Sequence, residues 1–171
     1  MSVQEFVSGD NPQATTKGLP KWVMRHPHLI LLFSLLLLGA LIYSWNAFAF
    51  FFDGDEGNYA YAAWRVTVGE VPYRDFLTPQ MPAFLYWGGL IVRVFGRSYV
   101  ALRLATMLVM LLAGYLLYAL NRELYGPPVA LLSLALFLME ANVFEVARVF
   151  RPEAPMLLFS NAGLYAFVLG V

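Results

Sequence analysis

The chain has 171 residues, of which 60% are hydrophobic and 13% are charged, and its formal net charge is zero. A soluble globular domain is usually about half apolar and about a quarter charged, so this composition favours a membrane protein. The zero net charge gives no support to a polyanionic partner such as nucleic acid, and the absence of cysteine excludes disulfides and thiolate metal sites.

The first apolar segment follows a polar tail at residues 1–28. Its uncharged run from Pro27 to Phe52 is longer than the ~7–15 apolar residues of a signal peptide. At about 1.5 Å per residue it is long enough to cross a hydrocarbon core of about 30 Å. We therefore predict an uncleaved transmembrane helix at residues 29–52. Basic residues stand just before it, which favours a cytoplasmic N-terminus and a first loop on the outer side.

Residues 53–98 mix acids, arginines and aromatic residues, and we predict an outer loop that contains two short helices. Asp53 or Asp55 can cap the first of them. The second is predicted from about Pro82 to Gly96, which is short for a membrane span and better suited to the membrane interface. If this second helix spanned the membrane instead, every later segment would change sides.

Three further apolar segments predict three more spans, at residues 99–121, 127–148 and 153–171. The short connector at residues 121–126 makes the first two of these antiparallel neighbours. The sequence thus predicts an all-α integral membrane protein, a helical bundle with about four transmembrane helices and interfacial helices in the first outer loop.

Charged residues cluster where this topology places the outer face of the membrane. A charge at the bilayer centre costs at least ~2.5–3.5 kcal/mol, so the clustering indicates a cavity in which acids and arginines converge. Such groups can take a proton from a hydroxyl or an amine and bind a phosphate through paired hydrogen bonds. The alternative is that the acids cap helices or form surface pairs at helical spacing. The charges are Asp53, Asp55, Glu56, Arg103, Glu140, Glu145, Arg148, Arg151 and Glu153.

Several short motifs then follow one another in a specific order. They are Asp55-Glu56, Tyr59, Gly69-x-x-Pro72-Tyr73-x-Asp75, Gln80-x-Pro82, Phe95-Gly96-x-Ser98, Leu102-Arg103-Leu104, Leu124-Tyr125-Gly126 and Arg151-Pro152-Glu153. Over Leu29 to Val171 this pattern resembles the N-terminal part of a GT-C membrane glycosyltransferase, similar to protein O-mannosyltransferases and lipid A aminoarabinose transferases.

The resemblance implies transfer of a sugar from a polyprenyl-phosphate donor to a protein, lipid or glycan acceptor at the outer face of the plasma membrane. It implies that Asp55 is a general base or orients the acceptor, with Glu56 beside it and Glu153 as a further catalytic acid. Arg103 and Arg151 are candidates to contact the donor phosphate. The other implied substrate-binding residues are Tyr59, Gln80 and Arg148. Some relatives place a divalent cation between carboxylates and phosphate, and the sequence leaves that open.

Members of this family have many more spans than this chain, which ends in its fourth. We therefore expect a fragment of a longer enzyme or a truncated gene product. The alternative function is a non-catalytic membrane module or assembly subunit, in which the same charges only pack and anchor the helices.

Overall fold

The computed structural model describes residues 27–45 and 54–170. The described residues form seven helices and contain no strand, which confirms the predicted all-helical fold; one isolated bridge joins Pro72 and Phe76. The helices are α1 (Pro27–Ser44), α2 (Gly54–Thr67), α3 (Pro82–Phe95), α4 (Tyr99–Tyr125), α5 (Pro127–Met139), α6 (Ala141–Val146) and α7 (Glu153–Leu169).

Two of these helices, α1 and α4, are long and apolar enough to cross a membrane. They overlap the first two predicted spans: α1 begins two residues before the first, α4 ends four residues after the second, and residues 46–52 of the first lie outside the described residues. Helices α3, α5 and α7 are apolar but shorter. The spans predicted at 127–148 and 153–171, and the interfacial position of α2 and α3, therefore stay predictions.

The turn between α4 and α5 is shorter than the sequence predicted. Helix α4 continues through the predicted connector to Tyr125, and Gly126 alone reverses the chain. Gly126 has φ 84°, a backbone conformation that favours glycine, and its N–H donates to the carbonyl of Arg122. Pro127 begins the next helix, where its missing N–H costs nothing.

The predicted segment at 127–148 is two helices rather than one. Helix α5 ends at Met139, and Glu140 adopts an extended conformation with ψ 131°. Its carboxylate accepts a hydrogen bond from the Val143 N–H at 2.7 Å and another from the Asn142 amide at 2.8 Å. The acid thus caps α6 with its own side chain, and this competition with the helix explains the break.

The long helices pack so that the candidate site lies at one end of the bundle. Helix α4 packs against both α5 and α7, and α1 packs against α4 and α5. The Tyr43 hydroxyl near the end of α1 donates to the Leu138 carbonyl near the end of α5. Glu56 accepts hydrogen bonds both from Arg103, near the start of α4, and from the Phe150 N–H, just before α7. The ends of α1 and α5 therefore lie on the same side as the starts of α4 and α7.

Helices α2 and α3 pack as a pair on this same end. A Cβ on Gly88 would lie 2.5 Å from the Phe150 ring and 2.9 Å from Ala63, so glycine is what allows this close approach. The Phe150 ring stacks on Phe84 of α3 with centroids 4.6 Å apart. Phe150, in the segment before α7, is thus buried under the α2–α3 pair.

Candidate functional site

Glu56 and Arg103 form a buried ion pair between α2 and α4. Glu56 is 2% exposed and Arg103 is 9% exposed. Arg103 Nε donates to Oε1 of Glu56 at 2.8 Å, and its Nη2 donates to Oε2 at 2.5 Å. The Phe150 N–H donates to Oε1 of the same carboxylate at 2.9 Å. One carboxylate therefore ties together α2, α4 and the segment that leads into α7.

Asp55, next to Glu56 in the sequence, belongs to a second and more open cluster. Arg151 Nη2 lies 3.6 Å from Oδ2 of Asp55, and its Nη1 lies 4.0 Å from Oε1 of Glu153. The Asp55 side chain is 59% exposed, whereas Arg151 is 28% exposed. Oε2 of Glu153 is buried and has no hydrogen-bond partner in the described part of the chain. One guanidinium thus joins two carboxylates at an accessible surface. We call Asp55, Arg151 and Glu153 the open cluster.

Tyr59 and Gln80 meet beside the open cluster, at the point where the loop after α2 returns to that helix. The Gln80 side-chain amide donates to the Tyr59 hydroxyl at 3.0 Å. The Tyr73 hydroxyl donates to the Gln80 carbonyl, and Tyr73 has a positive φ of 66°, uncommon for a residue other than glycine. These contacts hold the loop against α2. A role of Tyr59 or Gln80 in substrate binding stays a prediction.

Charged contacts hold the rest of this loop. Arg65 of α2 pairs with Glu70, donates to the Asp75 carbonyl at 3.3 Å, and lies 4.4 Å above the Phe76 ring. Asp75 accepts hydrogen bonds from the neighbouring Arg74 side chain and from a backbone N–H of the turn, which together hold the pKa of its carboxyl at about 2. The loop is therefore tied to α2 by ion pairs as well as by packing.

Arg148 makes its contacts away from the open cluster. Its Nη1 donates to the Trp45 carbonyl at the end of α1, 3.3 Å away, and its guanidinium lies 4.3 Å from the Phe144 ring. Its Nε is buried without a hydrogen-bond partner among the described residues. The structure thus brings Asp55, Arg151 and Glu153 together and directs Arg148 towards α1.

Two cavities border these residues. The first, of about 280 Å3, includes Asp55 in its lining, together with polar and aromatic groups of α2 and the following loop: Asn58, Tyr59, Tyr61, Arg65 and Thr78. The second, of about 460 Å3, is almost wholly apolar and lies between α3, α4 and the start of α7; it is lined by Met81, Phe84, Trp87, Val109, Pro155, Met156 and Phe159. A polar cavity and an apolar one thus flank the end of the bundle that carries the two ion-pair clusters.

The arrangement suits proton transfer and the binding of an anionic group. An exposed carboxylate can accept a proton from a substrate hydroxyl, and an arginine beside it can bind a phosphate oxygen. Within residues 27–45 and 54–170, no three histidine, cysteine, aspartate or glutamate side chains come together to hold one ion. The two acids of the open cluster already share the positive charge of Arg151.

Some participants were not found from the sequence. Phe150 contributes through its backbone N–H, for which no side-chain pattern exists. Asn58 lines the polar cavity with Asp55, and its spacing of three positions along α2 could have indicated a shared helix face.

Comparison with known proteins gives a family match. A family model described as dolichyl-phosphate-mannose-protein mannosyltransferase matches residues 78–171, more than half of the chain. The matched range runs from just before α3 to the end of the chain and includes Arg103, Arg151 and Glu153, whereas Asp55 and Glu56 precede it. No curated protein and no solved structure gives a significant match.

Proposed function

Since the chain belongs to the dolichyl-phosphate-mannose-protein mannosyltransferase family, and is a membrane glycosyltransferase of that kind, we propose that its open cluster is the reaction site. The proposed reaction is transfer of a sugar from a polyprenyl-phosphate donor to a hydroxyl or amine acceptor. The observation that carries the proposal is the contact of one arginine, Arg151, with two acids at an accessible surface.

In the proposed reaction each group of the open cluster has one task. An acceptor oxygen or nitrogen attacks the anomeric carbon of the donor sugar, and the bond from that carbon to the phosphate oxygen breaks. The acceptor proton moves to the Asp55 carboxylate, and the bonding electron pair leaves with the phosphate. Arg151 stabilises the departing phosphate by charge-assisted hydrogen bonds. Glu153 holds Arg151 in position through its shared contact.

Glu56 and Arg103 are proposed to act at a distance from the substrate. Both are buried, and each satisfies the charge of the other. Because Glu56 also accepts the Phe150 N–H, the pair fixes the start of α2 relative to the segment that carries Arg151. We therefore assign these two residues to positioning the open cluster, in place of the direct contacts expected from the resemblance.

The substitution Asp55→Asn tests the proposed base. In membranes that contain the full-length protein and a polyprenyl-phosphate sugar, we expect a fall in kcat of about 100-fold or more, because general-base catalysis contributes about that much. Asp75→Asn is the matched control, since it makes the same chemical change at another exposed aspartate. Unchanged turnover in Asp55→Asn would remove Asp55 as the base.

The substitution Arg151→Gln separates donor binding from proton transfer. We expect weaker binding of the polyprenyl-phosphate lipid to purified Arg151→Gln, and unchanged lipid binding to Asp55→Asn. If the unmodified protein binds no such lipid, the alternative of a non-catalytic membrane module is favoured instead.

The outer-face position of the site is also a proposal, supported by the common end of α1, α2, α4 and α7. The chain has no cysteine, so a single introduced cysteine can report its own accessibility. Leu77 is 93% exposed in the loop beside the polar cavity, and Tyr125 is 66% exposed at the opposite end of α4. We expect a membrane-impermeant thiol reagent added to intact cells to label Leu77→Cys but not Tyr125→Cys. Labelling of Tyr125→Cys but not of Leu77→Cys would show that the topology is the opposite of the proposed one.

A further inference from the structure

A third cavity, in addition to the polar and the apolar one described above, is a cleft where α2, α3 and α4 meet. None of its lining residues belongs to the open cluster. It has a volume of about 330 Å3. Aromatic and aliphatic side chains form most of its wall, and a single charged residue lies among them. The lining residues are Ala60, Tyr61, Trp64, Val92, Arg97, Ser98, Tyr99 and Leu102.

The charged group among the described lining residues of this cleft is an arginine. Arg97 is exposed, and its guanidinium lies 3.8 Å above the Trp64 ring. Arg93, also exposed, stands in the last turn of α3, four positions earlier. Within residues 27–45 and 54–170 no acidic residue lines the cleft, and none occurs in the sequence between Asp75 and Glu123. The cleft and the helix beside it therefore favour an anionic ligand.

The position of the cleft indicates that this ligand also has an apolar part. Arg97 precedes by two residues the first residue of α4, one of the two helices that can cross a membrane. Helix α3 exposes the apolar side chains of Leu90, Val94 and Phe95, all within three positions of Arg93 in the chain. Basic residues beside exposed apolar and aromatic side chains are typical of surfaces that meet phospholipid headgroups.

We propose that this cleft binds an anionic phospholipid of the bilayer, at a site separate from that of the sugar donor. The lipid phosphate contacts Arg97, with Arg93 adding charge, and the start of an acyl chain lies against the apolar wall of the cleft. Trp64 holds the Arg97 guanidinium at the edge of the cleft by a cation–π contact, so the arginine is already in place for the phosphate. The lipid thus occupies the junction of α2, α3 and α4.

The test measures lipid binding to the purified full-length protein by native mass spectrometry. Phosphatidylglycerol is the anionic probe, and phosphatidylcholine with the same acyl chains is the zwitterionic one. We expect Arg97→Gln to bind phosphatidylglycerol about fivefold more weakly, as for the loss of one arginine at a membrane surface, and Arg97→Lys to restore most of the affinity. Arg93→Gln removes a charge without altering the Trp64 contact and is expected to act in the same direction. Arg122→Gln, an exposed arginine in the last turn of α4, is the matched control and should leave binding unchanged.

Three results would overturn the proposal. The first is equal binding of both phospholipids to the unmodified protein. The second is an equal loss of phosphatidylglycerol affinity in Arg97→Gln and in Arg122→Gln. The third is displacement of phosphatidylglycerol by an equimolar amount of polyprenyl phosphate, which would assign the cleft to the donor. Asp55→Asn should bind phosphatidylglycerol normally, so a failure of the proposed glycosyl transfer would not affect this measurement.

Discussion

Replacing Glu56 by Gln removes the negative charge from a buried ion pair while leaving the shape of the side chain almost unchanged. The Arg103 guanidinium then loses the carboxylate that accepts two of its hydrogen bonds, in a position where only 9% of the residue is exposed. Arg103→Met makes the opposite change and removes the guanidinium that donates two hydrogen bonds to the Glu56 carboxylate. In both variants one charged group loses the partner that compensated its removal from water.

The size of the effect follows from the hydrogen bonds at this carboxylate. Two come from Arg103, at 2.8 and 2.5 Å, and a third comes from the Phe150 N–H. A hydrogen bond to a charged group contributes about 1.5–3 kcal/mol, so the two bonds to Arg103 together correspond to about 3–6 kcal/mol. Breaking a buried pair from one side costs about 3–5 kcal/mol, which agrees with that range. We therefore expect each single variant to lower the free energy of unfolding by about 3–5 kcal/mol.

The double variant Glu56→Gln/Arg103→Met gives the sharper result. It removes both charges of the pair, so we expect it to be about as stable as either single variant, with a coupling free energy of at least ~2 kcal/mol. Reversible unfolding of the full-length protein by denaturant in detergent micelles measures all four proteins. Asp55→Asn is the control at the neighbouring position, where an exposed pair should change stability by less than ~1 kcal/mol. Single variants that cost under ~1 kcal/mol, or a double variant that equals the sum of the two, would refute the reasoning.

Three further predictions concern packing, pH and a contact between helices. Gly88→Ala should lower the free energy of unfolding by about 1–3 kcal/mol, because its Cβ would lie 2.5 Å from the Phe150 ring. Gly163→Ala, whose Cβ would meet no atom within 4 Å, should raise the free energy of unfolding by about 0.5–1 kcal/mol. Thermal unfolding compares the two variants. The pKa of Asp75 is about 2, below its ordinary value of 3.8, so its contribution to stability is present at neutral pH and is lost as the pH falls from about 4 through about 2. The stability difference between the unmodified protein and Asp75→Asn should therefore shrink over that range, and a constant difference would contradict the assignment. Asn161→Leu removes the side-chain hydrogen bond from α7 to the Ala113 carbonyl of α4 and should lower the free energy of unfolding by about 0.6–1.7 kcal/mol. An unchanged free energy on denaturant unfolding would show that this bond does not stabilise the fold.

The sequence was sufficient to predict the all-helical fold class and the family. Apolar segments that end at glycine or proline define helices through local interactions, and both kinds of boundary are found at Gly96 and at Gly126-Pro127. The order of short motifs was sufficient for the family resemblance, which the match over residues 78–171 confirms. The break at Glu140 was not predicted, because an acid inside an apolar segment can equally face a cavity. The hydrogen bond by which Glu140 caps α6 forms only when the helix is interrupted at this residue.

The tertiary structure decided which of two adjacent acids is open to a substrate. Neighbouring residues on a helix point about 100° apart, so Asp55 and Glu56 had to differ, but the sequence does not say which one faces the bundle. That depends on Arg103, 47 positions away along the chain, and on the Phe150 N–H, 94 positions away. Local propensity contains no information about contacts of this range. The amino-acid sequence thus determined that acids and arginines gather at one end of the helices, and the packing of α2 on α4 separated the buried pair from the open cluster.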